Sequence, residues 1–262
     1  PKPIILGGLL HNVLRNKFVS VFTVTGLGIV THDSFKSRLF LKLYRFALRN
    51  ASGVIVENNA IKNLLANQKM ISTGRIFVQI SSGVNISRYK PSFKMSGDTV
   101  KILFASRLLW SKGLKEFIKA AEELKKEFVN KVEFLIAGEL EEEHRDGVPK
   151  DFIYEWHNKG IIKYIGKINI EDMPDLLKDV DIIVLPSYRE GMSKILMEGA
   201  AAGKPLITTN IPGCREIVHH GKNGLLVSPK DYRELANALK IFILNPSLCV
   251  KYGKYSRVLA ET

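Results

Sequence analysis

The chain has 262 residues, 45% of them apolar, two cysteines and a net charge of +13. That is the composition of a globular protein, and the length suits two domains of ordinary size better than one core. Cys214 and Cys249 have neither metal-ligand nor CxxC spacing, so two reduced structural thiols are expected. The longest apolar stretch, FVSVFTVTGLGIV at 18–30, is broken by Ser, Thr and two Gly and falls short of the roughly 20 residues of a membrane helix.

In chain order, VSVFTVT (19–25), SGVIVEN (52–58) and IFVQISSG (76–83) read as strands, with a helix FKSRLFLKLYRFALR over 35–49 between the first two. Three strands and few helices make a thin Rossmann-like half. The sequence opens at Pro1 without Met, and about 70 to 100 residues of opening strands, by ordinary domain size, are expected to be missing. Pro, Ser and Gly cluster in PSFKMSGDT (91–99), which places the domain boundary so that residues 1–95 and 96–262 separate. Beyond it, strand-like runs at 100–108, 132–139, 161–168, 181–186, 204–210 and 224–229 alternate with helical stretches at 113–128, 150–158, 171–178, 192–202, 214–219 and 232–244. Such alternation predicts an α/β fold with a doubly wound parallel sheet, whose ligands bind beyond the carboxyl ends of the strands.

Charge is unevenly spread. Residues 1–95 hold 14 Lys and Arg against two acids, whereas the remainder holds 25 basic and 24 acidic residues. A basic N-terminal half implies an anionic partner: nucleic acid, a membrane surface or a phosphorylated acceptor. On the 35–49 helix, Arg38, Lys42, Arg45 and Arg49 form one cationic stripe, with Phe35, Leu39, Leu43, Tyr44 and Phe46 as apolar surface. Such a helix can lie on an anionic membrane surface, a reading with which the charge asymmetry of the N-terminal part agrees; the alternative is an ordinary packed helix with a basic solvent face.

The segment PSYREGMSKILMEGAAAG (186–203) follows the strand DIIVLP and places two carboxylates, Glu190 and Glu198, around an expected helix start. A helix opening at Glu190 would aim the N–H groups of Met192 and Ser193 and its positive dipole end at a phosphate. Glu198 would then lie about 12 Å further along that helix, turned by about 80°. Arg107 and Lys112, in FASRLLWSKGL, sit between a strand and the next helix, where a guanidinium and an ammonium would clamp a diphosphate. Taken alone, Arg107 and Lys112 read equally well as two solvated surface cations, Glu190 as a helix-start carboxylate favoured by the dipole and Glu198 as an exposed helical residue.

Together they carry a resemblance. SSGVN (81–85), SRLLWSKG (106–113), AGE (137–139), YIGKI (164–168), PSYREGMSKILMEGAAAGKPLITTNIPGCREIV (186–218) and HGKNGLLVSPKD (220–231) resemble the retaining glycosyltransferases of family 4, including the Glu-x7-Glu spacing of Glu190 and Glu198. The resemblance implies the GT-B fold of two Rossmann-like domains, the first incomplete here. Residues 2–28 are similar to the branch that extends lipid-linked sugars in bacterial glycan and surface polysaccharide assembly.

What the resemblance implies is a donor nucleotide sugar, UDP-linked, on the C-terminal domain. Arg107, Lys112 and the N–H groups of Met192 and Ser193 would hold the diphosphate, Glu190 the sugar and Glu198 the ribose hydroxyls, with Gly191 letting the backbone approach. Fixed cations would replace a divalent metal, so neither metal nor other cofactor is expected. The glycosidic bond would form with retention. Glu139 stands either near the nucleotide or at a solvated strand end.

Many family members have His where this chain has Thr25, so no catalytic His is carried over, and His11 and His32 are expected on the surface or in loops. A cytoplasmic enzyme, peripheral on the inner face of the cytoplasmic membrane, with a lipid-linked or saccharide acceptor follows. Two other functions are weighed: a nucleotide-sugar epimerase of the same architecture, and a nucleic-acid-binding module, against which stands the absence of an aromatic-interleaved basic motif.

Overall fold

The structure is a computed structural model that describes residues 2–14, 18–25, 35–79, 83–93, 95 and 97–262. It divides into two compact units, Pro1–Ser82 and Gly83–Thr262.

The first unit runs α1 (Lys2–Val13), β1 (Val21–Val24), α2 (Phe35–Arg49), β2 (Gly53–Val56), α3 (Asn59–Asn67) and β3 (Ile76–Val78). Its three strands pair in parallel in the order β1-β2-β3. Their buried valines, Val24, Val54 and Val56, share one core with Tyr44 and Leu48 of α2 and Leu65 of α3. Tyr44 is therefore a core residue and not part of the apolar surface of α2, where Leu39, Leu43 and Phe46 are exposed beside Arg38, Lys42 and Arg49; the expectation for the Phe35 side chain lies outside what is described. Arg45 donates to the Gln68 carbonyl at 2.7 Å. His11, expected on the surface, is buried at 1% exposure, its Nε2 3.1 Å from the Asn50 carbonyl and its ring edge-on to Phe18. The expectation for His32 lies outside the described residues.

The second unit runs β4 (Val100–Ala105), α4 (Leu114–Glu127), β5 (Val132–Ala137), α5 (Lys150–Asn158), β6 (Lys163–Tyr164), α6 (Met173–Asp179), β7 (Ile182–Leu185), α7 (Lys194–Ala201), β8 (Leu206–Thr209), α8 (Pro212–Arg215), β9 (Gly224–Val227), α9 (Tyr232–Leu244) and α10 (Pro246–Glu261). The six strands are parallel in the order β6-β5-β4-β7-β8-β9. Parallel strands covered on both faces read as unbroken apolar runs, as Ile182–Leu185 does with all four residues buried. α4 turns Leu114, Phe117, Ile118, Ala121 and Leu124 to the sheet at helical spacing. α9 is capped by Asp231, whose carboxylate accepts from the N–H groups of Arg233 and Glu234. Both cysteines are free and buried, and burial pushes the Cys214 thiol up to about 11 and the Cys249 thiol up to about 12.

The boundary expected at 95/96 falls inside this second unit. Residues 83–93 pack with it because Tyr89 is buried in its core and the Ser92 N–H donates to the Ala202 carbonyl. The chain starts building at β4, moves outward to β5 and β6, then returns to the other side of β4 with β7. That reversal opens a crevice beyond the carboxyl ends of β4 and β7, where doubly wound sheets hold ligands.

Candidate functional site

The crevice is a cavity of about 380 Å³ in the second unit, floored by Ala105, Ala137 and Leu185 at the ends of β4, β5 and β7. Six of the seven site residues expected from the sequence line it: Arg107, Lys112, Glu190, Met192, Ser193 and Glu198.

Two loops make its centre. After β4, a single 3-10 turn over Trp110–Lys112 ends at Gly113, whose φ of 80° is left-handed. A Cβ at Gly113 would lie 2.0 Å from the Pro186 carbonyl oxygen, so only glycine lets this loop press against the one after β7. The two are then stitched: the Tyr188 N–H donates to the Ser111 carbonyl at 2.8 Å, and Ser187 Oγ sits 3.2 Å from that same oxygen. Asp146 holds the far side through the Ser111 N–H at 3.1 Å. Ser187 is in turn fixed from β8, because Thr209 Oγ1 donates to its carbonyl.

This stitching brings Lys112 Nζ to 2.5 Å from Glu190 Oε1, with side-chain exposures of 19% and 9%. Lys112 and Glu190, expected from the sequence as separate contacts to the diphosphate and to the sugar, are paired directly with each other. Arg107 differs in kind: its guanidinium is 60% exposed at the cavity rim and pairs with Glu141 at 3.6 Å. Glu139 also lines the cavity and pairs with Lys167 at 2.8 Å.

The helix begins later than expected. α7 starts at Lys194 with Ser193 as its N-cap, so Glu190 precedes the helix and Glu198 lies a little over one turn inside it. The N–H groups without a partner inside the helix accordingly belong to residues 193–196, which keeps Ser193 among them and leaves Met192 just before the helix. Gly191 does not line the cavity; its carbonyl oxygen would stand 2.1 Å from a Cβ on Gly213, so the Glu190–Gly191 corner rests on the turn that opens α8.

Glu198 is buried at 5% exposure, with Oε1 accepting from the Tyr89 hydroxyl at 2.9 Å and facing Lys194 Nζ at 3.7 Å. Burial first, and then the bond to Glu198, raises the Tyr89 pKa and keeps the phenol a donor at neutral pH. Tyr188 behaves alike: burial and its 2.7 Å bond to buried Glu116 raise its pKa. Neither tyrosine stood out in the sequence, because the pairing joins positions 109 and 72 residues apart. The chain's Asp-x-Asp triplet, Asp179-Val180-Asp181, lies at the amino end of β7, away from the cavity, where Asp181 accepts from the Lys101 N–H at 2.7 Å.

The fold and the crevice define the class: a Rossmann-like α/β protein with a cationic and carboxylate-lined ligand site at the switch point of its second unit. The family described as Glycosyl transferases group 1 matches residues 85–259, and the chain belongs to it. Among its relatives is the N,N'-diacetylbacillosaminyl-diphospho-undecaprenol alpha-1,3-N-acetylgalactosaminyltransferase of Campylobacter jejuni, 28% identical over 88% of this chain and 63% of that protein. A second is the capsular polysaccharide biosynthesis glycosyltransferase CapM of Staphylococcus aureus, 23% identical over 97% of this chain and 68% of that protein. The chain thus spans somewhat under or about two thirds of their lengths. Among solved structures, Anabaena HepE in complex with UDP superposes with a TM-score of 0.81 over 99% of this chain and 71% of that one, at 21% identity. The α/β fold with parallel sheets is that of GT-B glycosyltransferases.

Removing the Tyr188 hydroxyl leaves the buried Glu116 carboxylate short of a donor. Tyr188→Phe is expected to lower stability by about 1 to 3 kcal/mol in urea denaturation, and a loss below about 0.5 kcal/mol would contradict the assigned role.

Proposed function

We propose that the second unit binds a nucleotide diphosphate sugar, UDP-linked, and that the protein moves the sugar with retention of configuration onto a polyprenyl-diphosphate-linked saccharide in glycan or surface polysaccharide assembly. The observation that carries this reading is the meeting of Lys112, Glu190 and Glu198 around one cavity at the switch point. The relatives act, by their names, on an undecaprenol-linked sugar and in capsular polysaccharide biosynthesis, which supports the acceptor class. HepE in complex with UDP supports the donor class.

The roles follow from chemistry. As the bond from the anomeric carbon to the diphosphate oxygen breaks, negative charge grows on the departing diphosphate, and the acceptor hydroxyl bonds to that carbon while its proton passes to the departing phosphate. Lys112, with three N–H donors, can hold Glu190 and a phosphate oxygen together. Arg107 at the rim and the first-turn N–H groups of α7 add further positive charge where it develops. In this reading the task of a divalent cation falls to these fixed groups. Glu190 contacts the sugar, and Glu198 takes the ribose hydroxyls. Gly191 serves indirectly, by letting the corner at Glu190 settle on Gly213.

The first unit, with its 1–82 stretch holding most of the basic excess, belongs to the acceptor side and to an anionic membrane face. The attachment proposed is peripheral; no helix among the described residues is long and apolar enough to cross a membrane. Leu39, Leu43 and Phe46 alternate with exposed Arg38, Lys42 and Arg49 on α2, a surface suited to lie at the headgroups.

Transfer of labelled sugar from a nucleotide sugar to a lipid-linked acceptor is expected, and Lys112→Ala, Glu190→Ala and Glu198→Ala should each lower it at least about 100-fold. Full activity in all three would overturn the site, and sugar conversion without acceptor would point to an epimerase. Sedimentation with vesicles containing anionic phospholipid should fall steeply with salt and with Lys42→Glu/Arg49→Glu; equal binding to neutral vesicles would refute the membrane reading.

A further inference from the structure

The Glu198 carboxylate is buried, and its hydrogen bond from Tyr89 comes from a different layer of the unit, the segment that precedes β4. Tyr89 is itself held at the backbone. Arg257 of α10 donates from one guanidinium nitrogen to the Tyr89 carbonyl at 2.8 Å and to the Ala201 carbonyl at the end of α7 at 2.7 Å. Three residues on, the Ser92 N–H reaches the Ala202 carbonyl. The segment carrying the phenol and the helix carrying the carboxylate are therefore locked to each other at two further places. A tyrosine that is 4% exposed, with its ring in the core and its hydroxyl on Glu198, which itself lines the cavity, is a rigid donor with little rotamer freedom left to lose.

We propose that Tyr89 is a positioning residue for Glu198: its hydroxyl holds Oε1 and fixes the carboxylate plane, so that Oε2 is presented to the vicinal ribose hydroxyls of the donor nucleotide. This rests on the reading above that Glu198 binds the ribose. A carboxylate has about four lone-pair sites on two oxygens, so one oxygen committed to Tyr89 leaves the other to accept from a diol. Without the phenol, Lys194, 60% exposed and 3.7 Å from Oε1, becomes the competing partner and draws the carboxylate toward the helix surface. The pocket then loses its discrimination for a ribose carrying hydroxyls. Tyr89 touches Glu198 and not the reacting atoms, so its effect belongs to donor binding.

The test compares, by calorimetric titration, the tightest binder among UDP, ADP and GDP with its 2′,3′-dideoxy counterpart, in the wild type, Tyr89→Phe, Glu198→Ala and the double variant. In the wild type the ribonucleotide should bind at least tenfold more tightly than its dideoxy form. Tyr89→Phe should weaken the ribonucleotide about tenfold, leave the dideoxy form within about twofold, and add nothing in the Glu198→Ala background. The ratio of the two ligands within one protein is unaffected by a partial loss of folded protein. A wild type that discriminates, with the same discrimination kept or enlarged in Tyr89→Phe, would overturn the positioning role and leave the ribose contact standing. A wild type without discrimination, or one that Glu198→Ala leaves unchanged, would overturn both the ribose contact and the positioning role.

Discussion

The contact between Lys112 and Glu190 is the constraint on which the site depends. It joins the loop after β4 to the loop after β7, the two strands that face each other where the sheet reverses direction. Both side chains are largely withdrawn from water, so either one alone would leave an uncompensated charge at the cavity. Such a pair contributes little net stability, because desolvation offsets most of the attraction; its consequence is geometric. It holds an ammonium at the cavity, so that in the proposed reading a donor phosphate meets a cation already in place. The close approach of Gly113 to Pro186 lets the two loops come near enough for the pair to form, and that of Gly213 to Gly191 seats the corner at Glu190.

Around this contact the supports converge from separate parts of the chain. Thr209 of β8 fixes Ser187, Asp146 fixes Ser111, and Tyr188 reaches back to Glu116 on α4. On the helix side, Tyr89 and Lys194 meet at Glu198, while Arg257 of α10 ties the Tyr89 segment to the end of α7. The loops that carry Lys112 and Glu190, and the Glu198 carboxylate, are thus braced from other parts of the unit, which is how a site keeps its geometry before a ligand arrives.

The second unit was legible in the sequence because its strands are apolar runs bounded by Gly, Pro and charge, and α4 and α9 show helical spacing. Three helices were missed for physical reasons. α1, KPIILGGLLHNV, is apolar on every side and shows no periodic contrast. α3 is a single short element without an acidic residue in its first turn. α10 carries Gly253 and mixed Lys and Tyr, which blur its apolar face. The start of α7 was placed too early because Glu190-Gly191-Met192-Ser193 has the composition of a helix entry, yet Ser193 is the residue with extended dihedrals. Six cavity residues were found from type and spacing, but the direct Lys112–Glu190 pair and the two buried tyrosines depend on tertiary proximity that no local pattern encodes.

The central claim is that the ammonium held by Glu190 is a diphosphate site. Affinities for a nucleoside diphosphate and the matching monophosphate, measured in the wild type and in Lys112→Met, test it most directly. The wild type should prefer the diphosphate at least about tenfold, and Lys112→Met should erase most of that preference while leaving the monophosphate nearly unchanged. A preference kept intact in Lys112→Met, or weakened equally for both nucleotides, would contradict the account.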